Sequence, residues 1–148
     1  MTMRTSLLFL YGTGARVHEA IGLRLSDLDL KQKFVGLREP ERNPKWDNPT
    51  LPNTLDLYVQ SSAPRRSDLD RVFVTCNRKP QRRNTRRYNF VRLCARANIQ
   101  QANIHSPTPG MHDLRHTFAV HCLEAWVRQG NDLRQKLPFL RATLAMPS

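Results

Sequence analysis

Apolar residues at every fourth position from Leu114 to Trp126 restrict the fold of this chain more than any other sequence feature. On a helix, Leu114, Phe118, Cys122 and Trp126 form one continuous stripe, and Gly130 follows as an ordinary C-terminal stop. Such a stripe has to be covered by other parts of the chain. The spacing therefore predicts a well-defined amphipathic helix with one buried face.

A Gly-Thr-Gly turn near the N-terminus separates two apolar helical segments. Residues 7–11 have the pattern of the end of a first helix, and residues 12–14 supply the permissive backbone that stops it and starts another. Arg16 then falls in the first turn of the next helix, three positions before Glu19. These two side chains can share a helix face, for which an exposed ion pair is the simplest explanation.

The middle of the chain contains two strand patterns and one short helical pattern. Lys33–Glu39 and Arg71–Thr75 are predicted strands, and a proline-interrupted loop follows the first of them. Asn53–Gln60 is predicted as a short helix capped by Asn53. Together with the helices predicted toward both ends of the chain, these elements predict one α+β domain over residues 1–148. This domain is mostly helical with a small antiparallel β-sheet.

The chain is strongly basic. Its formal net charge is +12, and 19 of its 24 basic residues are arginine. Guanidinium groups match phosphate oxygens bidentately, so nucleic acid is the expected partner, with an ordinary solvated basic surface as the alternative. With 39% hydrophobic residues the chain can bury a core, yet no run approaches the roughly 20 apolar residues of a membrane span. We therefore expect a soluble cytoplasmic protein without membrane contact.

The densest charge run lies at the start of the helix predicted over Tyr88–Ala97. Positive charge at a helix N-terminus opposes the helix dipole, so the arrangement is costly unless an anion lies nearby. Phosphates of double-stranded DNA would relieve this conflict; a solvated basic helix is the alternative. The candidate nucleic-acid-binding residues are Arg82, Arg83, Arg86 and Arg87.

Cysteine and histidine spacing gives no support for a metal site. Cys76, Cys94 and Cys122 lie far apart, without the paired spacing of zinc ligands, and their odd number argues against a disulfide framework. We expect them to be buried small hydrophobic residues. His116 and His121 are metal ligands in principle, but no carboxylate cluster or HExxH spacing accompanies them. No metal and no other cofactor is expected.

His112 and Arg115 lie off the apolar stripe of the predicted C-terminal helix. They are three positions apart at its start, beside backbone N–H groups that have no partner within the helix. The two side chains can point at one spot there. The spacing predicts a place suited to a phosphate.

Two motifs together resemble the catalytic domain of the tyrosine recombinases, the phage integrase family. The first is Leu10–Val17 (LYGTGARV) with Glu19 and Ala20, and the second is His112–Phe118 (HDLRHTF). The resemblance spans nearly the whole chain, and residues 125–144 resemble a transposon-type branch. It implies a bacterial protein of DNA integration and site-specific recombination, associated with the nucleoid when bound to DNA, and self-association on DNA.

The resemblance also implies roles for particular residues. Arg16 and Arg115 correspond to the two arginines that clamp the scissile phosphate, and His112 to the histidine that acts as acid or base. The family uses a lysine from a β-hairpin as well. Counting from the first strand reaches Glu41, and Lys45 is the nearest lysine, so Lys45 is the candidate. The family requires no metal.

The nucleophilic tyrosine of the family has no match in this sequence. The three tyrosines, Tyr11, Tyr58 and Tyr88, all precede Arg115, and no Leu-Gly-His motif follows Leu144. We expect no separate N-terminal core-binding domain before the first motif. We therefore expect a partial catalytic domain, a truncated remnant that binds DNA without cutting it. The alternatives are a recombinase completed in trans by a partner's tyrosine and a noncatalytic basic nucleic-acid-binding module.

Overall fold

Helix α1 (Thr2–Thr13) and helix α5 (Asp113–Arg128) form the most extensive helix pair of the fold. The structure, a computed structural model, describes residues 2–29, 34–35, 50–62, 70–75, 79, 82–99 and 108–144. The other helices in these ranges are α2 (Val17–Gly22), α3 (Thr50–Ser62), α4 (Arg83–Arg96) and α6 (Leu133–Leu144), with a 3-10 turn at Leu25–Asp27. The long helix predicted around the Leu114 stripe is confirmed as α5.

A two-stranded antiparallel sheet accompanies these helices. Strand β1 (Leu28–Asp29) pairs with β2 (Phe34–Val35), and Leu28 lies opposite Val35. β2 confirms the predicted strand at Phe34 and Val35; residues 36–39 of that prediction, the loop after it and Lys45 lie outside the described residues. The architecture is α+β, mostly helical with a small antiparallel sheet, as the sequence predicts.

The hydrophobic core lies between α1, α2, α3 and the segment Asp70–Thr75. Phe9 and Phe73 meet edge to face, with ring centroids 5.7 Å apart. Complete burial of side chains of this size stabilises a fold by about 1.5–3 kcal/mol each. The buried members of this core are Phe9, Leu10, Ala15, Ala20, Leu23, Leu55, Tyr58, Val72 and Phe73.

A small polar network ties the start of α1 to α3 and to Val74. Thr2 donates from Oγ1 to the carbonyl oxygen of Val74 over 3.1 Å, and the hydroxyl of Tyr58 donates to Thr2 Oγ1 over 3.2 Å. The backbone N–H of Val74 donates to the same tyrosine oxygen over 3.3 Å. These bonds give a buried phenol its polar partners, which a fully buried hydroxyl requires.

The prediction of a strand over Arg71–Thr75 is wrong. Arg71 and Val74 are isolated bridge residues, Arg71 with Arg24, and a bend at residues 72–73 separates them. The segment paired with Arg71 enters the 3-10 helix directly after Arg24, so the hydrogen-bonded pairing cannot continue along it as a strand. Val72, Phe73 and Val74 are all buried, which differs from the alternation of a half-exposed strand.

Two predicted helix starts also need correction. α3 begins at Thr50, so Asn53 lies within its first turns and does not cap it. A proline such as Pro52 is tolerated there because the first N–H groups of a helix have no partner within it. Arg16 is the residue before α2, with an extended backbone, and does not belong to the first helical turn. α1 continues through Gly12 and ends at Thr13.

Candidate phosphate site between two distant motifs

The turn between α1 and α2 is built by Thr13. Its hydroxyl donates to the carbonyl oxygen of Phe9 over 2.7 Å and accepts from the backbone N–H of Ala15 over 3.2 Å. Thr13 is fully buried, so the turn is fixed from inside the protein. The Gly-Thr-Gly pattern indicates a turn, but the pattern alone did not show that the threonine hydroxyl holds it.

Gly14 follows in the left-handed region, with φ of +63°. A Cβ atom built on Gly14 would lie 2.5 Å from Cδ1 of Phe118, so the ring of α5 packs directly on the glycine backbone. Any side chain here meets both a strained φ and an occupied space. The turn and α5 are therefore in contact through a glycine that no other residue can replace without movement.

Arg115 joins the two sequence motifs. Its Nη1 donates to the carbonyl oxygen of Gly14 over 2.5 Å, across a sequence separation of 101 positions. Arg115 is only 5% exposed, so its charge is largely removed from water. A guanidinium is a planar group of five N–H donors, and a bond to a fixed carbonyl sets the orientation of that plane.

Arg16 lies two residues beyond the carbonyl that Arg115 contacts. Its backbone N–H donates to a carboxylate oxygen of Glu19 over 2.5 Å, which is the arrangement of the third helical residue reaching back to the N-cap. Glu19 therefore holds the backbone of Arg16 at the start of α2. The structure brings the segments of Arg16 and Arg115 together, as the spacing of neither motif alone could show.

His112 precedes α5 at the surface. A closed turn presents it, because the backbone N–H of Gly110 donates to Asp113 Oδ2 over 2.7 Å and the N–H of Asp113 donates to the Gly110 carbonyl over 3.1 Å. The ring of His112 meets the ring of His116 edge to face, with centroids 4.9 Å apart. His112 is exposed whereas Arg115, three positions later, is buried.

The basic cluster at the start of α4 is split by burial. Arg82, Arg83 and Arg87 are exposed, and Arg82 is the residue immediately before the helix. Arg86 is only 1% exposed, with its guanidinium carbon 5.2 Å from the ring centroid of Phe73. Arg86 is therefore a core residue and not part of the exposed basic surface. Its position four residues before Phe90 and eight before Cys94 is the sequence signal that marks the buried side.

Burial shifts the pKa values of two side chains on α4, Arg86 and Cys94. Removal from water lowers the pKa of Arg86 to about 10, with an opposing contribution from Tyr58, so the guanidinium still carries its charge at neutral pH. Burial raises the pKa of the Cys94 thiol, because the thiolate would lose its hydration. Cys94 is buried, as expected, and Cys122 is half-buried; Cys76 lies outside the described residues.

The remaining histidines of the C-terminal helix do not form a metal centre with their neighbours. Within the described ranges, no three His, Cys, Asp or Glu side chains gather at distances that could hold a metal ion. His121 contacts Tyr11 instead, with the phenol oxygen 2.5 Å from Nδ1. This contact between α1 and α5 has no signal in the sequence pattern. In the same described ranges, no helix is long and apolar enough to cross a bilayer.

The sequence as a whole matches known proteins. The sequence model of the phage integrase family covers residues 1–131, and the chain belongs to this family. It is 35% identical to the tyrosine recombinase XerD of Staphylococcus saprophyticus, over 88% of this chain and 43% of that protein. The chain thus spans less than half the length of this relative.

Solved structures share the fold. The crystal structure of XerA recombinase matches with a TM-score of 0.78 at 28% identity, covering 99% of this chain and 48% of that chain. A lambda integrase dimer bound to a COC′ core site matches with a TM-score of 0.66 at 16% identity, covering 99% of this chain and 50% of that chain. At that identity the second likeness concerns the fold alone.

Proposed function

We propose that this chain binds duplex DNA and holds one backbone phosphate between Arg16 and Arg115, as part of a tyrosine recombinase for DNA integration and site-specific recombination. The observation that carries this proposal is the bond from Arg115 to the Gly14 carbonyl, which places the second motif two residues from Arg16. Membership of the phage integrase family supports it. We also propose that residues 1–148 are one partial catalytic domain.

The proposed chemistry rests on the orientation of Arg115 and on the position of Arg16, two residues beyond the carbonyl that Arg115 contacts. Fixed guanidinium groups stabilise negative charge on the nonbridging oxygens of a phosphate, most strongly where water is excluded. Arg115 is largely buried and oriented by Gly14, so it needs little rearrangement when an anion arrives. We assign His112 to proton transfer and Lys45 to the role of the hairpin lysine.

The exposed arginines before and within the first turns of α4 provide a second DNA contact in this proposal. Arg82, Arg83 and Arg87 would neutralise phosphates on either side of the central one, which positions the duplex without reading its sequence. Membership of the phage integrase family supports DNA as the partner, and we propose self-association on DNA as well. We propose a bacterial cytoplasm as the compartment, with nucleoid association when the chain is bound to DNA.

The covalent step is not assigned to this chain. Tyr58 is 1% exposed inside the core, Tyr11 contacts His121, and Tyr88 lies on α4 with the guanidinium carbon of Arg92 5.7 Å from its ring centroid. We propose that these 148 residues bind a phosphate without attacking it, and that strand exchange uses a nucleophilic tyrosine from outside residues 1–148. Assignment to a transposon-type branch stays a prediction.

Thermal unfolding in increasing inorganic phosphate tests the proposed site. Phosphate should raise Tm, because a ligand that binds only the folded protein stabilises it by mass action. Chloride at matched ionic strength is the control, since any salt screens the repulsion within a chain of charge +12. The Arg16→Gln variant should lose the phosphate-specific part of the rise. Equal effects of phosphate and chloride on the wild-type protein would refute the site.

A further inference from the structure

Tyr11 and His121 form a direct bond between α1 and α5. The phenol oxygen of Tyr11 on α1 lies 2.5 Å from Nδ1 of His121 on α5, and the rings meet edge to face with centroids 5.7 Å apart. Which of the two groups donates depends on the tautomer of His121, but in either direction the hydrogen bond is directional in both angle and distance. Neither side chain has a role in the proposed phosphate clamp.

The contacts between the two motifs follow one line. Arg115 bonds to Gly14, the ring of Phe118 packs on the same glycine, and His121 bonds to Tyr11, so the contacts advance along α5 while they run back from the turn into α1. The order is that of two antiparallel elements. Arg115 is at one end of this line and the Tyr11–His121 pair is at the other.

The middle contact of the line is a packing contact between a ring and a glycine. Phe118 lies so close to Gly14 that a single Cβ atom would overlap the ring. Close packing resists approach, but it does not fix rotation of one element on another, because dispersion is not directional. A hydrogen bond on the far side of that contact can fix the rotation.

We infer that Tyr11 and His121 are positioning residues, which set the rotation of α5 about the Gly14–Phe118 contact and so hold the Arg115 guanidinium in place for a phosphate. This inference rests on the proposed phosphate site. Loss of the bond leaves the packing in place but lets α5 rotate, and the guanidinium then spends part of its time displaced from the Gly14 carbonyl. The affinity for phosphate falls by the fraction of molecules that are displaced.

The test is an NMR titration with inorganic phosphate that follows the Nε–H signal of Arg115. Tyr11→Phe keeps the ring and removes the hydroxyl, and we expect phosphate binding to weaken about three- to tenfold, the range for one lost hydrogen bond. His121→Ala should weaken it similarly, and the double variant should show no further loss, because both changes remove the same interaction. His121→Asn places an acceptor near the position of Nδ1 and should restore most of the affinity.

Tyr88→Phe is the matched control, because it makes the same chemical change on α4, away from the α1 and α5 contact. It should leave both the phosphate affinity and the Arg115 Nε–H signal unchanged. Wild-type affinity in Tyr11→Phe and in His121→Ala would overturn the inference. If the wild-type protein binds no phosphate, the proposed site fails; the inference is then decided by the Arg115 signal without phosphate, which must shift in Tyr11→Phe and not in Tyr88→Phe.

Discussion

Arg115 donates to the carbonyl oxygen of Gly14 over 2.5 Å, so the second arginine of the site is held by the backbone of the turn that leads to the first. The carbonyl is available because Gly14 adopts φ of +63° directly after α1. Because the acceptor is a backbone carbonyl, any residue substituted for Gly14 would still carry it. The position of the Arg115 guanidinium therefore depends on the backbone conformation at Gly14 and on how closely α5 packs against the turn.

Substitution of Gly14 should show how strongly the turn and α5 depend on each other. Gly14→Ala combines the cost of a left-handed φ, about 1–2 kcal/mol, with overpacking against Phe118, about 1–3 kcal/mol. Gly130→Ala is the matched control, because Gly130 has φ of +69° and no atom within 4 Å of the added Cβ. Urea unfolding should give a loss of about 2–5 kcal/mol for the first and about 1–2 kcal/mol for the second. Equal losses would show that the Phe118 contact carries no constraint.

Arg86 should affect stability and not DNA binding. Removing its side chain opens space beneath Phe73, and we expect Arg86→Ala to lower the free energy of unfolding by about 2–4 kcal/mol. Arg86→Met fills most of that space without a buried charge and should cost less. Arg87→Ala is the control with the opposite pattern: a stability change within about 0.5 kcal/mol and weaker DNA binding. Weaker binding in a fully folded Arg86→Met variant, equal to that in Arg87→Ala, would contradict this assignment.

Duplex binding should depend steeply on salt. If about five phosphates are neutralised, the plot of log affinity against log salt concentration has a slope of about −4 to −5. Replacing Arg82, Arg83 and Arg87 together by alanine should reduce the slope and weaken binding to all sequences alike, because phosphate contacts carry no base information. Fluorescence anisotropy on two unrelated duplexes measures both effects. Arg128→Ala, on an exposed side chain beside Glu124, is the control, and a flat salt dependence of the wild type would remove the nucleic-acid assignment.

The isolated chain should form no covalent adduct with DNA. Guanidinium groups stabilise developing charge but attack nothing, and the phenol of Tyr88 lies on α4 and is 63% exposed. A suicide substrate that carries a nicked recombination site would trap a phosphotyrosyl product on a denaturing gel. No shifted protein band is expected. A band that disappears in Tyr88→Phe would make the chain an active recombinase with a displaced nucleophile.

The elements that the sequence predicted well are those that local pattern sets, even where burial is partial: the four apolar side chains of the Leu114 stripe are half-buried in α5. The fourfold spacing from Leu114 defined α5, and the glycines around Thr13 defined the end of α1 within two residues. The Gly14 conformation and the α5 helix then followed from local rules of helix termination and periodicity.

The errors arose where tertiary contacts decide. Arg86 lies on the same side of α4 as Phe90 and Cys94, but its charge favoured a position at the surface. The contact with Phe73, which buries it, is a tertiary contact that the sequence does not indicate. Arg71–Thr75 has the composition of a strand, yet its partner segment turns away at Leu25. The bond between Arg115 and Gly14 spans 101 positions, a contact that no local pattern can indicate.

The central claim is that Arg16 and Arg115 hold the same phosphate. The most direct measurement is a crystal structure of the protein grown with inorganic phosphate at low ionic strength. We predict one phosphate whose oxygens lie at hydrogen-bond distance, about 2.9 Å, from both guanidinium groups. A phosphate bound by only one of the two arginines, or bound solely at the exposed arginines of α4, would contradict the account.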